Sequence, residues 1–180
     1  MTCPAPDTAA TTTASEADAD ERYDIAEPEP AALVESLRAF GYSLRTAIAD
    51  LIDNSISAGA KTVWLQFEWA GAGSWISIRD DGHGMSEEEL VTAMRPGSKN
   101  PLEKRPPRDL GRFGLGLKIA SFSQCRRLSV ISKRDTLPPA TRCWDLDYIS
   151  DCGQWRLLKE FDQPHADGLA GTLSGTAVVW

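Results

Sequence analysis

The sequence predicts an α+β domain, a two-layer α/β sandwich with a mostly antiparallel sheet. Three observations lead there. Apolar residues recur at helical spacing through residues 33–58. Two alternating segments, 62–69 and 75–79, are joined by a tight glycine link. Several more strand-like segments follow a later helix, without the regular strand–helix alternation of a parallel sheet.

The first helical stretch carries Leu33, Val34, Leu37 and Phe40, then Leu44, Ala47, Ile48, Leu51 and Ile52. Gly41 divides it into two helices, Ser43 suits the N-cap of the second, and Gly59 after Ala58 suits a helix stop. Thr62 to Trp69 and Trp75 to Arg79 alternate around Gly71-Ala72-Gly73 and read as an antiparallel hairpin. Ser86 caps a short helix whose acidic first turn, Glu87-Glu88-Glu89, suits the positive end of a helix. Residues 95–110, rich in proline, glycine and bases, read as a long loop. A helix follows over Gly114 to Phe122, then strands over Leu128 to Ser132, Arg142 to Tyr148, Gln154 to Lys159 and Gly175 to Trp180. Trp64, Trp69 and Trp75 suit either core or interface.

At 180 residues with 42% hydrophobic content, the chain is long enough for one domain with a real core. It has no apolar run of membrane-spanning length and no secretion signal, so no membrane partner and a cytoplasmic location are expected. Residues 1–30 hold eight acids against Arg22, which accounts for the whole net charge of −7; residues 31–180 carry eighteen of each sign. Residues 1–30 are expected to form a disordered acidic tail and residues 31–180 the folded domain. A neutral domain without an aromatic–basic stripe argues against a direct DNA-binding module. Cys3, Cys125, Cys143 and Cys152 form no C-x-x-C pair and are expected to be reduced, and His83 and His165 are too few for a histidine-based metal site.

Three elements carry chemistry. On a helix, Asp50, Asp53 and Asn54 share one face, which Ser57 extends. An asparagine carbonyl suits magnesium, and a carboxylate one turn away can orient and deprotonate water; taken singly, the same residues suit a solvated face. In Asp80-Asp81-Gly82-His83-Gly84-Met85, Asp80 can accept from an exocyclic amine, Gly82 and Gly84 allow close approach of a flat ring, and Met85 can cover it. Taken singly, a plain turn before Ser86 is the commoner meaning of such a stretch. Gly111, Gly114 and Gly116 precede an apolar helix, where backbone N–H groups cradle phosphate. Lys118 adds positive charge near that helix start, and residues 95–118 hold seven bases against two acids, which suits a polyphosphate lid or an ordinary solvated loop. The order and spacing of the three elements favour a nucleotide pocket over a coincidence of turns. Neither a P-loop nor a Rossmann fingerprint is present.

Together these residues resemble the GHKL superfamily of gyrase, the ninety-kilodalton heat-shock chaperone, histidine kinases and MutL, with the related MORC ATPases, over about residues 34–180. The resemblance implies the Bergerat fold, with ATP and magnesium as ligands. Asp50-x-x-x-Asn54 is similar to the first box of the family and implies that Asn54 binds magnesium and Asp50 is the catalytic base. Asp80-x-Gly82-x-Gly84 is similar to the adenine box, with Asp80 on the adenine amino group. Gly111-Arg112-Phe113-Gly114-Leu115-Gly116, continuing to Lys118, is similar to the phosphate box. Gly175-Thr176 is similar to the terminal strand, whose Thr supports a water network beside adenine. The Asp-Asn-Ser wording at 53–55, the phosphate box and the Ser98-Lys99 pair in the lid look closer to the MutL and MORC branch than to histidine kinases. Bacterial relatives of that branch are associated with DNA repair, restriction and anti-phage defence, which implies a DNA or nuclease partner.

Two departures stand out. Asp50 occupies the position of the usual Glu, which withdraws the carboxylate by roughly 1.5 Å, and a displacement of that order can cost about 10²-fold in rate. Ser57 stands where an acid often follows. The reading is a slow ATPase whose lid closure drives homodimerisation, forming the N-terminal part of a longer protein with downstream domains. The alternatives are a non-hydrolysing ATP switch and a histidine-kinase-type catalytic domain.

Overall fold

The computed structural model describes residues 26–39, 41–97, 116–159, 169 and 171–180. The expected tail falls almost wholly outside them, as do Ser98, Lys99 and Gly111 to Leu115.

The first three helices each begin where a side chain satisfies an orphan N–H group. Helix α1 (Pro30–Arg38) has a proline in its first turn, and the Glu29 carboxylate accepts from the Ala32 amide. Helix α2 (Leu44–Ser57) is capped by Ser43, whose Oγ accepts from the Thr46 amide. It ends at Ala58, and Gly59 follows in the left-handed region at φ +73. Helix α3 (Glu87–Met94) opens with a full capping box between Ser86 and Glu89. Helix α4 (Gly116–Gln124) carries buried Ala120 and Phe122.

Five strands form one sheet: β1 (Val63–Glu68), β2 (Trp75–Asp80), β3 (Arg127–Lys133), β4 (Ala140–Asp145) and β5 (Gly175–Val179). Their order is β1-β2-β5-β3-β4, and every neighbouring pair is antiparallel. The expected sandwich is therefore borne out. The hairpin also holds, its link being a single 3-10 turn at Gly71–Gly73. Strand β5, last in the chain, inserts at the centre between β2 and β3 and places Thr176 opposite Asp80.

Helices α1, α2 and α4 pack together, with α2 lying on β2 and α4 on β3. The core between the layers includes Val34, Leu51, Ile78, Leu90, Phe122, Leu128 and Val178. The three tryptophans are not core: Trp64 and Trp69 are exposed on or beside the edge strand. Half-buried Trp75 donates its indole N–H to Glu68.

Two expectations fail after β3. The strand expected over Arg142 to Tyr148 stops at Asp145, and helix α5 (Leu146–Cys152) follows. The Asp145 carboxylate accepts from the Asp147 and Tyr148 amides, and Gly153 ends the helix at φ +60, so this stretch carries its own start and stop. The segment expected as a strand over Gln154 to Lys159 makes only one bridge, between Cys143 and Leu158. Of the thiols, Cys125 and Cys143 are free, as expected, whereas Cys152 departs from expectation in being disulfide-bonded. Among the described residues, no helix is long and apolar enough to cross a membrane.

Candidate nucleotide site

Strand β2 ends at Asp80, which is only 6% exposed. A carboxylate at that depth must be hydrogen-bonded, and three donors reach it. The amides of Gly82 and Thr176 donate to Oδ1, at 2.9 and 3.3 Å. Ser55 Oγ donates to Oδ2 at 2.9 Å. Ser55 is equally buried, on the inward face of α2, and its oxygen also lies 3.2 Å from the Leu51 carbonyl. Its single proton goes to the nearer, charged acceptor. An ionised carboxylate has about four lone-pair sites, so Asp80 retains acceptor capacity for one more donor.

The loop after Asp80 is fastened on both sides. Asp81 Oδ1 accepts from the Lys61 and Thr62 amides at 2.7 and 2.9 Å. These backbone bonds hold its carboxyl below the usual aspartate range. The His83 amide donates to the Ala58 carbonyl at 3.0 Å, and Ser174 Oγ donates to the Gly82 carbonyl at 2.8 Å. The end of β2 is thus bound both to the turn after α2 and to the start of β5.

The glycines serve this packing. A Cβ on Gly84 would lie 1.8 Å from the Lys133 carbonyl oxygen, and the residue sits at φ +64. A Cβ on Gly82 would lie 2.9 Å from both Cβ and carbonyl oxygen of Ala58. The space that glycine leaves open at both positions is therefore occupied by the chain's own atoms, not held free for a ring.

Thr176 lies beside Asp80 with its hydroxyl 2.9 Å from Ser132 Oγ, and Ser132 Oγ accepts from the Met85 amide at 2.8 Å. This chain of contacts brings Met85, which is half-buried, to the same end of the sheet as Asp80 and Thr176. On α2, Asp50 is half-buried, while Asn54 and Asp53 are exposed.

Residues 42–176 match the family described as "Histidine kinase-, DNA gyrase B-, and HSP90-like ATPase". The chain belongs to this ATPase family. Its relatives include ATPase morc-1 of Caenorhabditis elegans, 33% identical over 90 residues. That alignment covers 50% of this chain and 10% of the relative. The DNA mismatch repair protein MutL of Clostridium acetobutylicum is 30% identical over 114 residues, 60% of this chain and 18% of MutL. MutL of Thermus aquaticus is 34% identical over 93 residues, 51% of this chain and 16% of MutL. The chain therefore spans less than a fifth of each of these relatives. The similarity agrees with the MutL- and MORC-like wording of the motifs.

Within this ATPase domain, Lys118 is placed differently from the sequence expectation. It is 2% exposed, and its ammonium donates to the Ala93 carbonyl at 2.7 Å. It therefore sits at the negative C-terminal end of α3. Gly116 is the first described residue of α4; the expected helix start at Gly114 and the rest of the glycine-rich box lie outside the described residues.

The structure also brings in residues that motif reading missed. Ser55 and Ser132 hold the Asp80 and Thr176 network. Ser55 left a signal in the sequence: it falls one turn after Leu51, on the apolar stripe of α2, where a hydroxyl needs an inward partner.

Proposed function

We propose that this domain binds ATP with magnesium and hydrolyses it slowly, coupling closure of its glycine-rich segment to dimerisation. The observation that carries the reading is the buried Asp80 carboxylate, held by three donors and retaining one acceptor site. Asp80 accepts from the adenine amino group, Thr176 holds a water beside the base, and Met85 covers the ring. Gly82 and Gly84 act by letting the loop pack tightly enough to fix Asp80.

Asn54 offers an exposed carbonyl oxygen on the same helix face as Asp50, a donor type that fits magnesium, a hard cation. When bound, the ion neutralises phosphate charge. Gly111 to Gly116, with Arg112, Phe113 and Leu115, line the phosphates, Ser98 and Lys99 belong to the closing lid, and Lys118 braces α4 against α3. Asp50 removes a proton from water as it attacks the γ-phosphorus, a reaction governed by positioning and electrostatics. Closure presents a surface to a second copy, with further domains, DNA or a nuclease acting downstream in DNA repair, restriction or anti-phage defence. The relatives described as DNA mismatch repair proteins support the DNA-repair part of this reading.

Calorimetric titration with ATP and GTP in the presence of magnesium tests the reading. The wild type is expected to prefer ATP, and Asp80→Asn to lose about 10- to 100-fold in ATP affinity. That range corresponds to one charge-assisted hydrogen bond. Equal affinity for GTP, or ATP binding unchanged in Asp80→Asn, contradicts it.

A further inference from the structure

Arg134 opens the turn between β3 and β4, and none of the sequence motifs includes it. Its backbone is set by that turn, where the Leu137 amide donates to the Arg134 carbonyl at 3.0 Å. Its half-buried guanidinium reaches across to the loop after Asp80. There Nη2 donates to the Gly84 carbonyl at 2.9 Å. Nη1 donates to the Glu89 carboxylate, 2.7 Å from Oε1 and 2.6 Å from Oε2.

The two contacts bracket Met85. The Gly84 carbonyl and the Met85 amide belong to one peptide unit, whose six atoms lie close to a plane. Arg134 holds the carbonyl end of that plane, and Ser132 Oγ accepts from the amide end at 2.8 Å. A peptide plane held at both ends resists rotation, so the direction in which the Met85 side chain leaves the backbone is set. On the other side of Met85, Glu89 Oε2 accepts from the Ser86 amide at 2.8 Å and completes the capping box of α3. Arg134 therefore holds the residue before Met85 directly and the residue after it through Glu89. Ser132 also lies 2.9 Å from the Thr176 hydroxyl, which places this clamp at the end of the sheet that carries Asp80.

The bond from a guanidinium to a carbonyl is charge-assisted and among the stronger kinds. The ion pair with Glu89 is partly exposed on both sides, and such pairs add little to global stability. Methionine is unbranched and adaptable, so its placement depends on how firmly its backbone is held.

The geometry points to Arg134 as the positioning residue of Met85, fixing the Gly84–Met85 peptide so that the thioether side chain meets the base. The inference rests on the proposal that Met85 covers the adenine ring.

The test is calorimetric titration of the full chain with ATP and magnesium, as wild type, Arg134→Met, Met85→Ala and the double variant, with melting temperature measured on the same samples. Arg134→Met keeps an apolar stem and removes the donors. It is expected to weaken ATP binding about 5-fold, and Met85→Ala about 10-fold. Because Arg134 acts through Met85, the double variant is expected to bind within about 2-fold of Met85→Ala alone. The melting temperature of Arg134→Met is expected to stay close to that of the wild type. Unchanged affinity in Arg134→Met, or losses that multiply in the double variant, overturns the role of Arg134 and leaves the ATP reading standing. A large fall in the melting temperature of Arg134→Met shows a structural brace and overturns it as well. A wild type that does not bind ATP, or Met85→Ala with wild-type affinity, overturns the ring-covering role of Met85 and this inference with it.

Discussion

Ser55 Oγ donates to Asp80 Oδ2 at 2.9 Å, joining the middle of α2 to the last residue of β2. The bond ties the helix that carries Asp50 and Asn54 to the strand end that carries Asp80, the carboxylate proposed to select adenine. Both residues are almost fully buried, so the contact is strong and costly to lose. Ser55→Ala removes the donor and leaves one carboxylate oxygen without it. A loss of about 1.5–3 kcal/mol in unfolding free energy is expected, together with weaker ATP binding. Denaturant unfolding of the two proteins measures the first and calorimetry the second. An unchanged midpoint would show that this bond does not hold the two elements together.

Gly84 is expected to be far less tolerant than Gly41, although both have positive φ. The two residues sit at φ +64 and +68. An added methyl at Gly84 meets the Lys133 carbonyl oxygen at 1.8 Å, whereas at Gly41 nothing lies within 4 Å. Gly41→Ala then costs only the left-handed backbone strain, about 1–2 kcal/mol. Gly84→Ala adds displacement of backbone and should exceed about 4 kcal/mol. Thermal unfolding of both variants checks the contrast, and equal losses would contradict the close approach of the loop to β3 and β5.

Acid should destabilise the fold through carboxylates that hold the site loop and α3. Asp81 is lowered by the Thr62 and Lys61 amides, and Glu89 by the Ser86 amide and then Arg134. Glu87 is lowered by its hydrogen bond and charge pairing with the buried Arg142. A depressed folded-state pKa gives stability that is fully present above the unfolded pKa and lost as pH falls through the folded one. Melting temperature should therefore hold between roughly pH 5 and 7 and fall below about pH 4. Asp81→Asn removes one titrating group and should shallow that fall. The same acid slope in the variant would show that Asp81 does not contribute to it.

Much of this was legible in the sequence, because local signals agreed with the global fold. Ser43, Ser86 and Gly59 mark helix ends that the structure places where the caps predict. The hairpin and β5 follow from simple alternation. Helix α5 was hidden because Trp144, Leu146 and Tyr148 alternate like a strand, and the Asp145 cap lay inside that alternation. The burial of Lys118 was not legible in the sequence, because its partner, the Ala93 carbonyl, comes from another helix. Ser132 was missed for a related reason: it acts through residues distant in the chain, and spacing carries no trace of that; the spacing of Ser55 points inward, but its partner, Asp80, comes from a strand.

The proposed role of Asp50 in activating water for attack on bound ATP is decided by magnesium-dependent ATP turnover of wild type, Asp50→Asn and Asp50→Glu. Slow turnover is expected in the wild type, loss in Asp50→Asn, and equal or faster turnover in Asp50→Glu, which restores the longer side chain. Tight ATP binding with no turnover in any of the three would contradict it and mark the domain as a nucleotide-gated switch.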